Sequence, residues 1–136
     1  MSKILAIDYG EKRSGLAETD DMQIIASGLA GIMTSNLIPF LEKYIAENSV
    51  EKIIIGLPVR LNGKLSDVEI SIQKLIKKIT SLFPNIPVER VDERFTSKIA
   101  SHFISLSGKN KKNRENKHLL DEVSATLILQ TYLEKK

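Results

Sequence analysis

At 136 residues, with 42% hydrophobic and 27% charged side chains, the chain has the size and balance of one globular domain, which excludes a wholly disordered chain and two large lobes alike. Cysteine is absent and the histidines are two, His102 and His118, which excludes disulfides, thiolate zinc sites and cysteine nucleophiles and argues against histidine-rich metal centres. The net charge is only +3, yet residues 107–117, "SGKNKKNRENK", carry +4 alone through Lys109, Lys111, Lys112, Arg114 and Lys117 against Glu115.

That concentration of charge suits a polyanion such as nucleic acid, and equally a solvated loop without a partner. The longest apolar runs are strand-sized, so no membrane span is expected. Asp8 and Glu11 interrupt any basic-then-apolar leader, and a cytoplasmic location is the expectation.

Lys3 to Asp8 reads as a buried strand, and Ser14 to Glu18 as its antiparallel return after a turn on Gly10. A third strand falls within Gln23 to Met33. Thr34 or Ser35 is placed to cap a helix to about Glu47, with Leu37, Phe40, Leu41, Tyr44 and Ile45 at helical spacing. "VEKIIIGLP" reads as a strand covered on both faces and ended by Gly56 and Pro58. A helix from near Ser66 to about Leu82 carries one apolar stripe, with Lys74, Lys77 and Lys78 outside it. "IPVERVDE" is the last strand; a helix from Thr96 to about Leu106, the basic loop, and a helix from about Lys117 to Leu133 follow. The order predicts an α/β fold in one domain over residues 1–136: a five-stranded mixed sheet, three antiparallel strands and then βαβ units, flanked by helices.

Three carboxylate positions end or begin elements. Asp8 closes the first strand, Asp92 and Glu93 close the last, and Asp121 falls in the first turns of the final helix. With the first and last strands side by side and parallel, their C-terminal ends meet, and a helix on that face delivers Asp121 to the same spot. Acids gathered so closely repel one another unless a cation neutralises them, and one or two hard ions such as Mg²⁺ or Mn²⁺ suit an all-oxygen set. Paired ions of that kind hydrolyse phosphodiesters. Each acid also has a plainer use. Asp8 shapes a turn, Asp92 or Glu93 pairs with Arg94, and Asp121 complements a helix N-terminal dipole. Gly56 ends a strand, or lets a nucleic-acid backbone come close.

Four stretches, "AIDYGEKRSGLAETD", "IIIGLP…NGK", "VDERFTS" and "LLDEVSATLILQTYL", together resemble the YqgF/RuvX family over essentially the whole chain. The resemblance implies an RNase H-like fold and a nuclease that acts on the precursor of 16S ribosomal RNA or on Holliday junctions. It places the acidic site, catalytic and metal-binding, on Asp8, Glu93 and Asp121, with Asp92 the alternative to Glu93, since neighbours along a strand point to opposite faces. Arg13, Arg94 and Thr96 also match the family motifs, to hold phosphate or brace the acids. Ser14 departs from the pattern, standing where the family often has an apolar residue. The implied partners are precursor ribosomal RNA or branched DNA, and the ribosome or its precursor, for a monomer or homodimer without membrane contact. Two other classes stay open: a phosphate-binding module of the actin and sugar-kinase type, which the short chain disfavours, and a non-catalytic ribosomal-RNA-binding assembly factor.

Overall fold

The computed structural model describes residues 2–58, 67–92 and 113–135, the side chains of 113–117 excepted. Five strands, β1 (Lys3–Asp8), β2 (Arg13–Thr19), β3 (Ala26–Met33), β4 (Val50–Leu57) and β5 (Val88–Asp92), form one mixed sheet in the order β3-β2-β1-β4-β5. The pairs β1/β2 and β2/β3 are antiparallel, and β1/β4 and β4/β5 parallel. Among the described residues three helices flank it: α1 (Leu37–Glu47), α2 (Glu69–Leu82) and α3 (Asn113–Lys135). Glu93, Arg94, Thr96, the helix expected after it, Lys109, Lys111 and Lys112 lie outside the described residues.

The period-two pattern of the strands divides the core. Leu5, Ile7, Leu16, Ile53 and Ile55 face α1 and α2, where they meet Leu37, Leu41, Ile72, Leu75 and Ile79. Ile4, Ala6, Ala17, Ile54 and Val91 face α3, where they meet Ala125, Ile128 and Leu129. β1 and β4 are apolar at every central position because both of their faces are covered.

Three expectations need correction. β1 and β5 are parallel but not adjacent, because β4 lies between them. Their ends therefore stand two strand spacings apart, about 9.5 Å. Thr34 does not cap α1: residues Thr34–Asn36 form a 3₁₀ turn, and the Thr34 hydroxyl donates to the Gly10 carbonyl at 2.6 Å. The last helix begins at Asn113, so Asp121 stands eight residues in, about 12 Å from the helix start and beyond the reach of the N-terminal dipole.

Arg90 ties the α1/α2 layer to the sheet. Its guanidinium donates to both Glu69 oxygens (2.7 and 2.8 Å) and to the Ile55 and Gly56 carbonyls of β4, and Gln73 adds a bond to Glu69 at 2.6 Å. These donors hold the Glu69 carboxyl below its usual 4.5, with Arg90 the main cause. A lowered folded-state value means that the pair stabilises the fold above about pH 4.5 and ceases to do so as pH falls through the lowered value. Glu69→Gln is expected to cost about 2–4 kcal/mol at neutral pH, because Arg90 keeps its charge and loses its partner. Denaturant midpoints of the two proteins should converge as pH drops from about 7 to about 3; a difference that is constant over that range contradicts the assignment.

Candidate active site

One row of residues across the sheet builds the site. Asp8 ends β1, its register partner on β2 is Gly15, and Gly15 pairs with Gly31 on β3. Alternation sends this row to the α3 side, since Ala6 and Ala17, two residues back, belong to the α3 core. The helix rests directly on the glycines. A Cβ on Gly15 would overlap the Asp121 carbonyl oxygen, and one on Gly31 would lie 2.5 Å from the His118 carbonyl oxygen. With α3 seated in this way, the Asp121 backbone lies over the strand residue paired with Asp8. Two of the three expected carboxylate positions thus share one place.

Arg13, at the first position of β2, donates from Nε to Asp121 Oδ2 at 2.9 Å, in a pair that is partly shielded from solvent. Of the two uses expected for Arg13, bracing an acid is the one seen. The contact fixes one carboxylate oxygen and offsets part of the charge that two neighbouring acids accumulate.

The hairpin between Asp8 and Arg13 is closed by a ring of hydrogen bonds. The Gly10 amide donates to Ser14 Oγ at 3.4 Å, Ser14 Oγ and Thr34 Oγ1 are 2.8 Å apart, and Thr34 donates back to the Gly10 carbonyl. Because the Thr34 proton is committed to Gly10, Ser14 is the donor to Thr34. A second bond, from the Thr34 amide to the Lys12 carbonyl (2.9 Å), ties the turn to the end of β3. Ser14 is fully buried, which an unpaired hydroxyl would not tolerate. The residue that departs from the family pattern therefore has a structural use.

Asp92 is at the end of β5, on the other side of β4 from Asp8. Val91 joins the α3 core while Arg90 reaches Glu69 on α2, so alternation puts Asp92 on the face opposite Asp8. His118, left without a role by its sequence context, stands one turn before Asp121, and its Nδ1 is buried without a hydrogen-bond partner among the described residues. Its i, i+3 spacing from Asp121 on a helix was the available signal. Arg114 lies in the first turn of α3, its side chain outside the described residues. Among the described residues no set of three or more metal-ligating side chains converges; the two acids at the row are hard oxygen donors.

A family model described as RuvX, Holliday junction resolvase, matches residues 2–135. The chain belongs to the RuvX (YqgF) family. A relative from Flavobacterium psychrophilum is 52% identical and one from Bacteroides fragilis 49%, each over 136 residues covering 100% of this chain and 99% of the relative; both are named "Putative pre-16S rRNA nuclease". Among solved structures, the Fowlpox virus resolvase in complex with substrate Holliday junction DNA is similar with a TM-score of 0.58 at 18% identity (98% of this chain, 97% of that one). The T. thermophilus RuvC in complex with Holliday junction substrate gives 0.57 at 11% identity (99% and 95%). These two likenesses show the fold, which is RNase H-like as expected. Membership of a nuclease family supports assignment as a hydrolase.

The glycine seating of α3 is open to a direct comparison within this family member. At Gly15 an added methyl meets helix backbone, whereas at Gly28 it meets the end of the Glu122 side chain, which can move aside. Gly15→Ala is expected to cost about 1–3 kcal/mol more than Gly28→Ala, measured by urea denaturation. Equal costs would mean that α3 does not rest on Gly15.

Proposed function

We propose that this chain is a divalent-metal-dependent endonuclease, one RNase H-like domain over residues 1–136, that hydrolyses phosphodiester bonds of structured nucleic acid. Its first substrate is the precursor of 16S ribosomal RNA, in the cytoplasm during ribosome assembly. The observation that carries the reading is the placement of Asp121 over the strand partner of Asp8. The names of the relatives near 50% identity favour precursor RNA as substrate. The description of the family model favours branched DNA as the second candidate. Among the described residues no helix is long and apolar enough to cross a membrane.

Asp8 and Asp121, with Glu93 as the third carboxylate, are the residues we assign to hold Mg²⁺ or Mn²⁺. The place of Asp92 on the opposite face supports Glu93 over it. When bound, the ion supplies activation of water and charge stabilisation at the leaving oxygen. Arg13 keeps Asp121 aimed at the site through its Oδ2 bond. The Gly10, Ser14 and Thr34 ring fixes the strand end that presents Asp8. Arg94 and the basic segment with Lys109, Lys111, Lys112 and Arg114 are assigned to the phosphate backbone. Gly56, one residue beyond the Ile7–Ile55 pair, leaves no side chain beside Asp8 where that backbone approaches.

The test is cleavage of precursor ribosomal RNA and of a four-way DNA junction, side by side, by wild type and Asp8→Asn. Several kcal/mol of lost transition-state stabilisation corresponds to a fall of about 10²- to 10³-fold for the mutant, and chelation of the metal should do the same. Cleavage by Asp8→Asn at the wild-type rate would overturn the reading, and RNA binding that survives loss of metal, with no cleavage by the wild type, would instead identify a non-catalytic assembly factor.

A further inference from the structure

On the face of the sheet opposite Asp8, a groove of ≈ 290 Å³ opens between α1 and α2. Tyr9, the residue after Asp8, stands at its head and packs in part against the α1/α2 core. Leu75 lines it together with Thr34 and Ser71, and Lys74 and Lys78 complete the wall. Among the described residues no carboxylate lines it.

The two lysines are four residues apart on α2, exposed, and without an ion pair or hydrogen bond to any described residue. Like charges at that spacing weaken a helix, and among the described residues no acid of the groove offsets them. The Tyr9 hydroxyl likewise has no partner among the described residues. An aromatic ring, an apolar wall and two unpaired ammonium groups are the parts with which proteins hold an unstacked nucleotide: the base lies on the ring and the phosphates meet the cations.

We infer that this groove binds an unpaired nucleotide of a single-stranded segment, its base on Tyr9 and its flanking phosphates at Lys74 and Lys78. The inference rests on the functional reading above, because consecutive residues place the groove and the carboxylate row on the two sides of one strand end. Their Cα atoms are about 3.8 Å apart. A strand crossing the C-terminal end of the sheet thus meets Asp8 on one side and Tyr9 on the other. The substrate it selects carries unpaired nucleotides next to the cleaved bond, whether the sugar is ribose or deoxyribose.

Binding of a 5′-labelled single-stranded oligouridylate, and separately of oligothymidylate, is measured by fluorescence anisotropy in chelator across a salt series. Each variant is first shown to melt as a folded protein. Lys74→Ala with Lys78→Ala should reduce the log–log salt slope by about 1.4, two single-strand phosphates' worth. Tyr9→Leu should weaken binding by about 5- to 150-fold, with Tyr9→Phe within about twofold of wild type, because the ring rather than the hydroxyl does the stacking. Lys77→Ala, on α2 but outside the groove, is the control. Wild-type binding by Tyr9→Leu, equal losses from Lys77→Ala and the double variant, or displacement of the oligonucleotide by polyglutamate at equal charge would each overturn the inference. Since binding is read without metal, cleavage that survives Asp8→Asn sinks the functional reading without touching the groove, and the outcomes just named sink the groove without touching the carboxylates.

Discussion

The close approach of α3 to β2 and β3 is the constraint on which the rest depends. A helix laid on a sheet ordinarily stands off by the depth of two side chains. At Gly15 and Gly31 that depth is gone, and the carbonyls of Asp121 and His118 occupy the space a methyl group would need. The contact is backbone against backbone, so neither partner can adjust by changing a rotamer. It fixes both how far along the helix the Asp121 backbone sits and how near it comes to the end of β1. Burial of Ala125, Ile128 and Leu129 further along α3 holds the helix down, while the glycines decide its height and register at the site end.

Around that fixed helix, the remaining polar groups act as braces. Arg13 belongs to the same hairpin as Asp8 and bonds to Asp121 on the helix, so strand and helix are joined by one guanidinium. Ser14 and Thr34 close the hairpin from below, and Arg90 with Glu69 locks the neighbouring end of β4 to α2. All of these lie at the C-terminal end of the parallel strands, the end at which open α/β sheets place their ligands. The apolar interior stabilises the fold as a whole, whereas this belt of hydrogen bonds specifies where its carboxylates stand.

Much of the fold was legible because periodicity and burial agree. "ILAI" and "IIIGL" are continuous apolar runs, and both belong to strands covered on two faces; the stripe Ile72, Leu75 and Ile79 does face the sheet. Strand order was not legible. Nothing in "IPVERVDE" tells whether it pairs with β1 or with β4, since a parallel strand reached through a helix fits beside either. Helix starts were also misplaced. The Thr34 hydroxyl has two possible partners, the backbone N–H donors at the helix start and the Gly10 carbonyl acceptor, and only the folded hairpin decides between them. For the site, Asp8 and Asp121 stood out as acids at element ends. What joins them, two glycines in register on neighbouring strands, becomes visible only when β2 and β3 are paired. Ser14 looked like an anomaly because its partner is twenty residues away. The groove beside Tyr9 was hidden for a similar reason: Lys74 and Lys78 read as a solvated helix face until α1 and α2 are packed together.

The central claim is that Asp8 and Asp121 act as one cation site rather than as a turn residue and a surface acid. Calorimetric titration of Mn²⁺ into wild type, Asp8→Asn, Asp121→Asn and the double variant tests it most directly, with Asp20→Asn, a carboxylate that only closes the β2–β3 turn, as the control. The account predicts that either site substitution weakens binding by about tenfold or more, and that the double variant is little worse than either alone, as coupled ligands require. Binding by Asp121→Asn at wild-type strength, or losses that simply add, would contradict it.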